Sequence, residues 1–226
     1  YECRHGMGYT VFDSAKDGLA ARMTFFVPVG ENCEIHDLVL TNETQEDKEV
    51  HLYGCMEWCL WNAVDDSTNY QRNLNIAECE AEDRILYHKT EYRERRDHYA
   101  YYAVNRDTAG WDTDRNTFLG PMGDWSAPAL VERESSAFSC ITGWYPIGCH
   151  HLKIALAPGE SQRVIFLLGY GKNPRDRKFL SPGVIRKDDA HAAAAKYADP
   201  AAVDAAFAAL GRYWDGLLSS YQLRSG

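Results

Sequence analysis

The chain has 226 residues, 33 acidic against 24 basic side chains and a formal net charge of −9 at neutral pH. That length buries one substantial core, and large all-β units of this size commonly form a single domain. The acidic balance leaves no basic surface to displace phosphate counterions, which excludes nucleic acid as a partner, and no run is long or apolar enough to span a membrane.

In chain order the first elements read as strands. His5 to Phe12 is a strand behind two glycines. Leu19 to Val29 is a second, with Pro28 demoting its end to an edge. The turn Gly30-Glu31-Asn32 leads into Cys33 to Asn42, where Ile35, Leu38 and Leu40 are apolar and a single slip in the alternation allows a bulge. From Glu49 to Leu60 the period of two is unbroken: Val50, Leu52, Gly54, Met56, Trp58 and Leu60 share one face, and His51, Tyr53, Cys55, Glu57 and Cys59 the other. Shorter strands are predicted at 75–80, 84–88 and 99–105. Residues 106–135 are irregular, a length of connection that is usually functional or held by a neighbour. Strands follow at 137–143, 151–156 and 162–169, the last two joined as a hairpin by Ala157-Pro158-Gly159-Glu160. Turn signals at such intervals indicate a large antiparallel β-sandwich, so the fold class is all-β with C-terminal helices.

Beyond Tyr170 the pattern changes. A polar segment punctuated by Pro and Gly leads to a helix over 190–198. Asp199-Pro200 then supplies an N-cap and a first-turn proline for a second helix. On it Val203, Phe207, Leu210, Trp214, Leu217 and Tyr221 form one apolar stripe, which either the sandwich or a further domain must cover. Residues 1–175 are therefore read as a sandwich and 176–226 as a helical linker. The chain begins at Tyr1 without an initiator Met or a signal-like segment, and its expected context is an excerpt from a longer protein.

Seven cysteines, at 3, 33, 55, 59, 79, 140 and 149, cannot all pair within one chain. Free, mostly buried thiols in a reducing cytoplasmic setting are the simplest account. Cys149-His150-His151 lacks a spaced partner, so no metal is expected. Asp112-Thr113-Asp114-Arg115-Asn116 imitates the start of a calcium loop but lacks the glycine and terminal glutamate that such a loop needs.

The chemistry concentrates between residues 54 and 104. A tryptophan-rich strand runs into a polar loop, Asp65 to Asn73, and a charged run over 90–98 follows. Aromatic faces, planar amides and forked guanidinium groups are what a sugar ring requires: its C–H faces stack, and its hydroxyls need donors and acceptors in fixed directions. Each feature also has a structural reading. Tyr70-Gln71-Arg72-Asn73 could brace a loop, Trp58 and Trp61 could be sheet core, Asp65-Asp66 could form a turn, and Arg93 to Arg96 could be a solvated ribbon paired with Glu91, Glu94 and Asp97.

Three motifs carry a resemblance: His5-Gly6-Met7-Gly8-Tyr9-Thr10; Trp58 to Asp66 with Thr68-Asn69-Tyr70-Gln71-Arg72-Asn73; and Tyr87-His88-Lys89-Thr90-Glu91-Tyr92-Arg93-Glu94-Arg95-Arg96. Asp114-Arg115 with Phe118-Leu119-Gly120, and the Gly143 to Ile147 turn, fit as well. Together they resemble cellobiose phosphorylase, of the inverting disaccharide phosphorylases, over essentially the whole chain. The resemblance implies a galactose-mutarotase-like super-sandwich, its first strands lying before Tyr1, and a linker leading to an absent (α/α)6 catalytic barrel. The implied enzyme is a glycosyltransferase that splits cellobiose with inorganic phosphate, a co-substrate, into glucose 1-phosphate and glucose, with no cofactor. Its catalytic acid would lie in the barrel, so no catalytic residue is expected in this chain, which alone would be inactive. Gln71 and Arg72, flanked by Asn69 and Tyr70, would hold the leaving glucose, reaching across a homodimer. A cellodextrin or other β-glucoside phosphorylase, and a free-standing carbohydrate-binding module, are the alternatives.

Overall fold

The computed structural model describes residues 1–59, 64, 77–90, 97–143 and 145–220. Strands come first: β1 (Glu2–Gly6), β2 (Tyr9–Lys16), β3 (Leu19–Phe26), β4 (Cys33–Asn42) and β5 (Lys48–Glu57). Next are β6 (Ala77–Glu82), β7 (Ile85–Thr90), β8 (His98–Val104) and β9 (Gly110–Asp114), then the short helices α1 (Arg115–Leu119) and α2 (Ala129–Glu132). β10 (Thr142–Gly143), β11 (Pro146–Leu156), β12 (Ser161–Lys172), β13 (Phe179–Ser181) and β14 (Val184–Ile185) precede the helices α3 (Asp188–Tyr197) and α4 (Pro200–Leu218). Among the described residues, nine strands form one antiparallel sheet in the order β1-β2-β3-β4-β12-β8-β7-β6-β10, and β5-β11-β9 form a second.

The layers follow from alternation. On the inner face of the large sheet Leu38, Leu40, Leu86, Tyr102, Val164 and Phe166 meet Leu152, Ile154 and Leu156 of β11, with Val50, Leu52 and Met56 of β5 packed alongside. On its outer face Ile35, Tyr87, Tyr99, Tyr101, Ile165 and Leu167 receive Ala190 and Tyr197 of α3 and Val203 and Leu210 of α4. A third cluster, Phe118, Leu119 and Leu130 against Ile147 and Cys149, covers the far side of the small sheet. Gly169 and Gly171 lie opposite Tyr101 and Tyr99, and a Cβ on either would run into the tyrosine ring at 1.9 and 2.4 Å. Those glycines make room for the tyrosines that the helices pack on.

Local expectations met non-local facts in several places. His5 to Phe12 is a hairpin and not one strand: Gly8 adopts φ +80, and β1 returns as β2. β3 ends at Phe26, ahead of Pro28, and lies between β2 and β4, so it is not an edge. β4 pairs with both neighbours in continuous register and contains no bulge. Its broken alternation arises because Cys33 and Ile35 bury against the helices, whereas Leu38 and Leu40 bury between the sheets. The turn at 157–160 is present, with Gly159 at φ +74, but β11 and β12 belong to different sheets. The turn is a sheet-to-sheet corner and not a hairpin. The irregular stretch 106–135 contains β9, α1 and α2, while of 137–143 only Thr142–Gly143 forms a strand.

The stripe on α4 is covered by the sandwich over its first turns. Val203 and Leu210 are buried, Phe207 packs edge-on against Tyr9 and Phe26 at 5.1 and 5.2 Å, and a Cβ on Gly8 would meet the Trp214 indole. Arg163 of β12 fixes the same helix, donating to Asp37 at 2.7 and 2.8 Å and to Asp204 at 2.7 Å. Leu217 and Leu218 stay exposed.

Candidate functional site

Asn69, Tyr70, Gln71 and Arg72 lie outside the described residues, as do Trp61, Asp65, Asp66 and Arg93 to Arg96. The described residues include the strand end that precedes the 60–76 segment in the chain. β5 ends at Glu57, and Trp58 is buried in the inter-sheet core at 4% exposure. Its ring stacks on His88, centroids 5.5 Å apart and planes 26° from parallel. Trp58 is therefore core and not a sugar platform. Full burial holds the His88 imidazole neutral, its pKa pulled down to about 3.

Beside this strand end, Arg115 donates to the Glu57 carboxylate at 2.7 Å, with its guanidinium 5.6 Å from the ring centroids of both Trp125 and Tyr145. Cation–π contact at that range, together with a half-buried ion pair, fixes a long side chain in one place. The backbone is tied at the same point: the Arg115 N–H donates to the Tyr145 carbonyl at 3.2 Å, and Tyr145 is left-handed at φ +54. The acids of the imitation calcium loop have other partners. Asp112, 2% exposed, accepts from the Ala137 and Ser139 N–H groups and the Ser139 hydroxyl. Asp114 caps α1, accepting from the Asn116 N–H at 2.9 Å and the Thr117 hydroxyl at 2.7 Å.

The Tyr87-His88-Lys89 motif is likewise scaffold. Tyr87 is 1% exposed and lies under the Lys187 ammonium at 4.7 Å. Lys89 pairs with Glu78 at 2.6 Å, and Lys187 reaches Glu80 and Glu82 at 2.9 and 3.0 Å. The sequence signal for these pairs was a set of acids spaced by two along β6 (Glu78, Glu80, Glu82), which places three carboxylates on one face.

One titratable cluster sits apart, on the outer face of the small sheet. His151 lies 3.0 Å from His51 and 3.1 Å from the Ser136 hydroxyl. The Tyr53 ring stacks on it at 4.4 Å and 7°, while the Tyr53 hydroxyl donates to the Leu130 and Ser135 carbonyls. Desolvation, and then the neighbouring His51 and Lys153, lower the His151 pKa. With its ring face covered and both nitrogens engaged, His151 clasps the 130–136 segment to the sheet. Among the described residues no group of three His, Cys, Asp or Glu side chains could hold a metal ion. All seven cysteines are free, three of them buried, two half-buried and two exposed, so the expected burial holds only in part.

The family model of the glycosyl hydrolase 94 supersandwich domain matches residues 1–200. The chain belongs to this family. The supersandwich domain is 31% identical to N,N'-diacetylchitobiose phosphorylase of Vibrio proteolyticus, across all of this chain and 26% of that protein. It is 30% identical to solabiose phosphorylase of Paenibacillus borealis, across 88% of this chain and 26% of that protein. The chain thus spans about a quarter of the length of these relatives. Among solved structures, a kojibiose phosphorylase from the human microbiome superposes with TM-score 0.43 at 6% identity, covering 73% of this chain and 18% of that one. An aldose 1-epimerase homologue from Escherichia coli K12 does so with TM-score 0.37 at 8% identity, covering 76% and 68%.

Proposed function

We propose that this supersandwich domain is part of a phosphorylase that splits cellobiose with inorganic phosphate, inverting the anomeric centre to give α-D-glucose 1-phosphate and glucose. The single observation behind the reading is the family match over residues 1–200, joined to relatives named as disaccharide phosphorylases. In an inverting displacement the nucleophile attacks from the face opposite the departing oxygen, which an acid protonates. Phosphate serves as that nucleophile, no cofactor is needed, and the acid comes from a catalytic barrel beyond this chain, to which residues 176–226 lead.

The domain's own contribution is to the departing sugar. Arg72 donates two directed bonds to vicinal hydroxyls, and Gln71 both donates and accepts. Asn69 and Tyr70 flank and brace them. The Arg115–Glu57 pair, 2.7 Å long, anchors the strand from which this loop leaves. A homodimer brings the loop to the neighbouring protomer's reaction centre, in the cytoplasm.

A second reading, N,N'-diacetylchitobiose as substrate, is favoured by the relatives matched over the full chain at 31% and 30% identity. Release of sugar 1-phosphate by the complete enzyme, with cellobiose, cellotriose and N,N'-diacetylchitobiose each offered with phosphate, separates the two. Cellobiose is expected to give the highest kcat/KM. Preference for the N-acetylated disaccharide transfers the assignment to the second reading, and inactivity with all three removes both.

A further inference from the structure

Two of the seven cysteines stand opposite each other. β5 and β11 pair in unbroken register, and that register sets Cys55 directly across from Cys149. The hydrogen-bond pattern decides which kind of pair they form. The Trp58 N–H donates to the Pro146 carbonyl, so the even-numbered residues of β11 turn their backbone groups toward β5. The odd-numbered ones turn the other way: the carbonyls of Tyr145 and His151 accept from Arg115 and Ala109, on the side of β9. Cys55 and Cys149 are therefore a non-hydrogen-bonded pair, the kind in which Cα atoms come within about 4.5 Å and side chains lie closest. That separation falls inside the roughly 4.4–6.8 Å that a disulfide spans. The two thiols are also joined by a hydrogen bond. Within the described strands no other two cysteines are opposed. Cys3 faces Phe12, Cys33 faces Gly169 and Cys79 faces His88, while the Cys140 thiol meets Cys79 at its backbone carbonyl, 3.3 Å away.

The paired thiols differ in access. Cys149 is 1% exposed and packs with Phe118, Leu119, Leu130 and Ile147. Burial first, then the Cys55 thiol and the Asp112 carboxylate, push its pKa well up. Cys149 thus stays protonated and does not begin an exchange reaction, for which the thiolate is needed. Cys55 is half-buried at the margin of the same cluster, so a small oxidant meets it first. A more accessible thiol held against a buried one suits a disulfide that closes in two exchange steps.

We propose that Cys55 and Cys149 are a redox-modification site, a dithiol under reducing conditions that low-molecular-weight disulfides such as oxidised glutathione close to a disulfide. The Cys55 thiolate attacks one sulfur of the small disulfide, and the other sulfur leaves as a thiolate. Cys149 then gives up its proton to solvent and attacks the Cys55 sulfur, expelling the second small thiol. Two protein S–H bonds become one protein S–S bond, and the small disulfide is reduced to two thiols. The new bond ties β5 to β11 two residues before Glu57 takes Arg115, and so braces the small sheet. It does not depend on which disaccharide the enzyme cleaves.

The test incubates the complete enzyme with oxidised glutathione, alkylates the remaining thiols and maps peptides by mass without reduction. The peptides carrying Cys55 and Cys149 are expected as one joined species that dithiothreitol separates. Cys149→Ser should stop at a glutathione mixed disulfide on Cys55, whereas Cys55→Ser should leave Cys149 free. Amide hydrogen exchange over 48–57 and 146–156 should slow about twofold or more on oxidation of the parent enzyme, and not in Cys149→Ser. Recovery of Cys55 and Cys149 separately alkylated, or of either joined to a different cysteine, would overturn the proposal. So would a closed disulfide with exchange unchanged in both strands, because the bond would then brace nothing.

Discussion

His88 and His150 sit fully buried on facing strands of the core, 5% and 1% exposed. His150 donates from Nε2 to the Tyr102 carbonyl at 2.9 Å, and among the described residues neither Nδ1 has a hydrogen-bond partner. Burial pulls the two pKa values down from 6.5 to about 3 and about 4. A histidine whose folded pKa is depressed stabilises fully above 6.5 and loses that stability as pH falls toward the folded value, because only the unfolded chain takes up the proton. At pH 5 the cost is about 2 kcal/mol for each ring. His150→Gln, which keeps a side-chain N–H donor, is expected to shrink the loss of unfolding free energy between pH 7 and pH 5 by that amount in denaturant titrations. An unchanged pH slope would mean that His150 is already charged in the fold. At this scale the sequence was partly legible. The missing glycine and glutamate argue against a calcium loop at Asp112 to Asn116, but nothing local marked Asp112 as the buried acceptor for residues 137–139. Nor did anything near Arg115 point to Glu57, 58 positions away, because such partners meet only once the sheets have stacked.

Elements were legible where their signals are local. The N-cap of α4 is one: Asp199 accepts from the Ala201 N–H at 2.9 Å, with Pro200 in the first turn, as the dipeptide alone predicts. Removing it with Asp199→Ala should cost about 1 kcal/mol and lower the thermal midpoint, whereas Asp199→Ser should retain most of the stability. Equal losses in the two variants would show that the cap is not what holds the helix start. The period of two in β5 was also read correctly, since Val50, Leu52 and Met56 face one core and Tyr53 and Cys55 the other. β4 has the bounds the sequence predicts, Cys33–Asn42, but the slip in its alternation, which allowed a bulge, has another physical reason. A strand buried on both faces at different ends breaks the alternation without any backbone irregularity, and a sequence window cannot tell that from a bulge. The Ala157 to Glu160 turn failed similarly: a tight turn reverses the chain but does not dictate that the reversed strand pairs with its predecessor.

At the scale of the molecule, composition and turn spacing suffice for an all-β body with terminal helices, and the stripe on α4 foretold a burial that the large sheet largely supplies. The layering itself, which among the described residues comprises helices, a nine-stranded sheet, a three-stranded sheet and a cover of short helices, depends on strand order, which no local pattern encodes. The motifs that carry the resemblance to the disaccharide phosphorylases divide accordingly. His88, Lys89, Asp114 and Arg115 build scaffold around the ends of β5 and β7, and the proposed sugar contacts fall to the Asn69–Asn73 loop between β5 and β6. The measurement that bears most directly on this division is steady-state kinetics of Arg72→Ala in the complete enzyme. The account predicts that KM for the disaccharide rises about tenfold or more while KM for phosphate stays within about twofold of the parent value. Equal changes in both constants, or in neither, would contradict it.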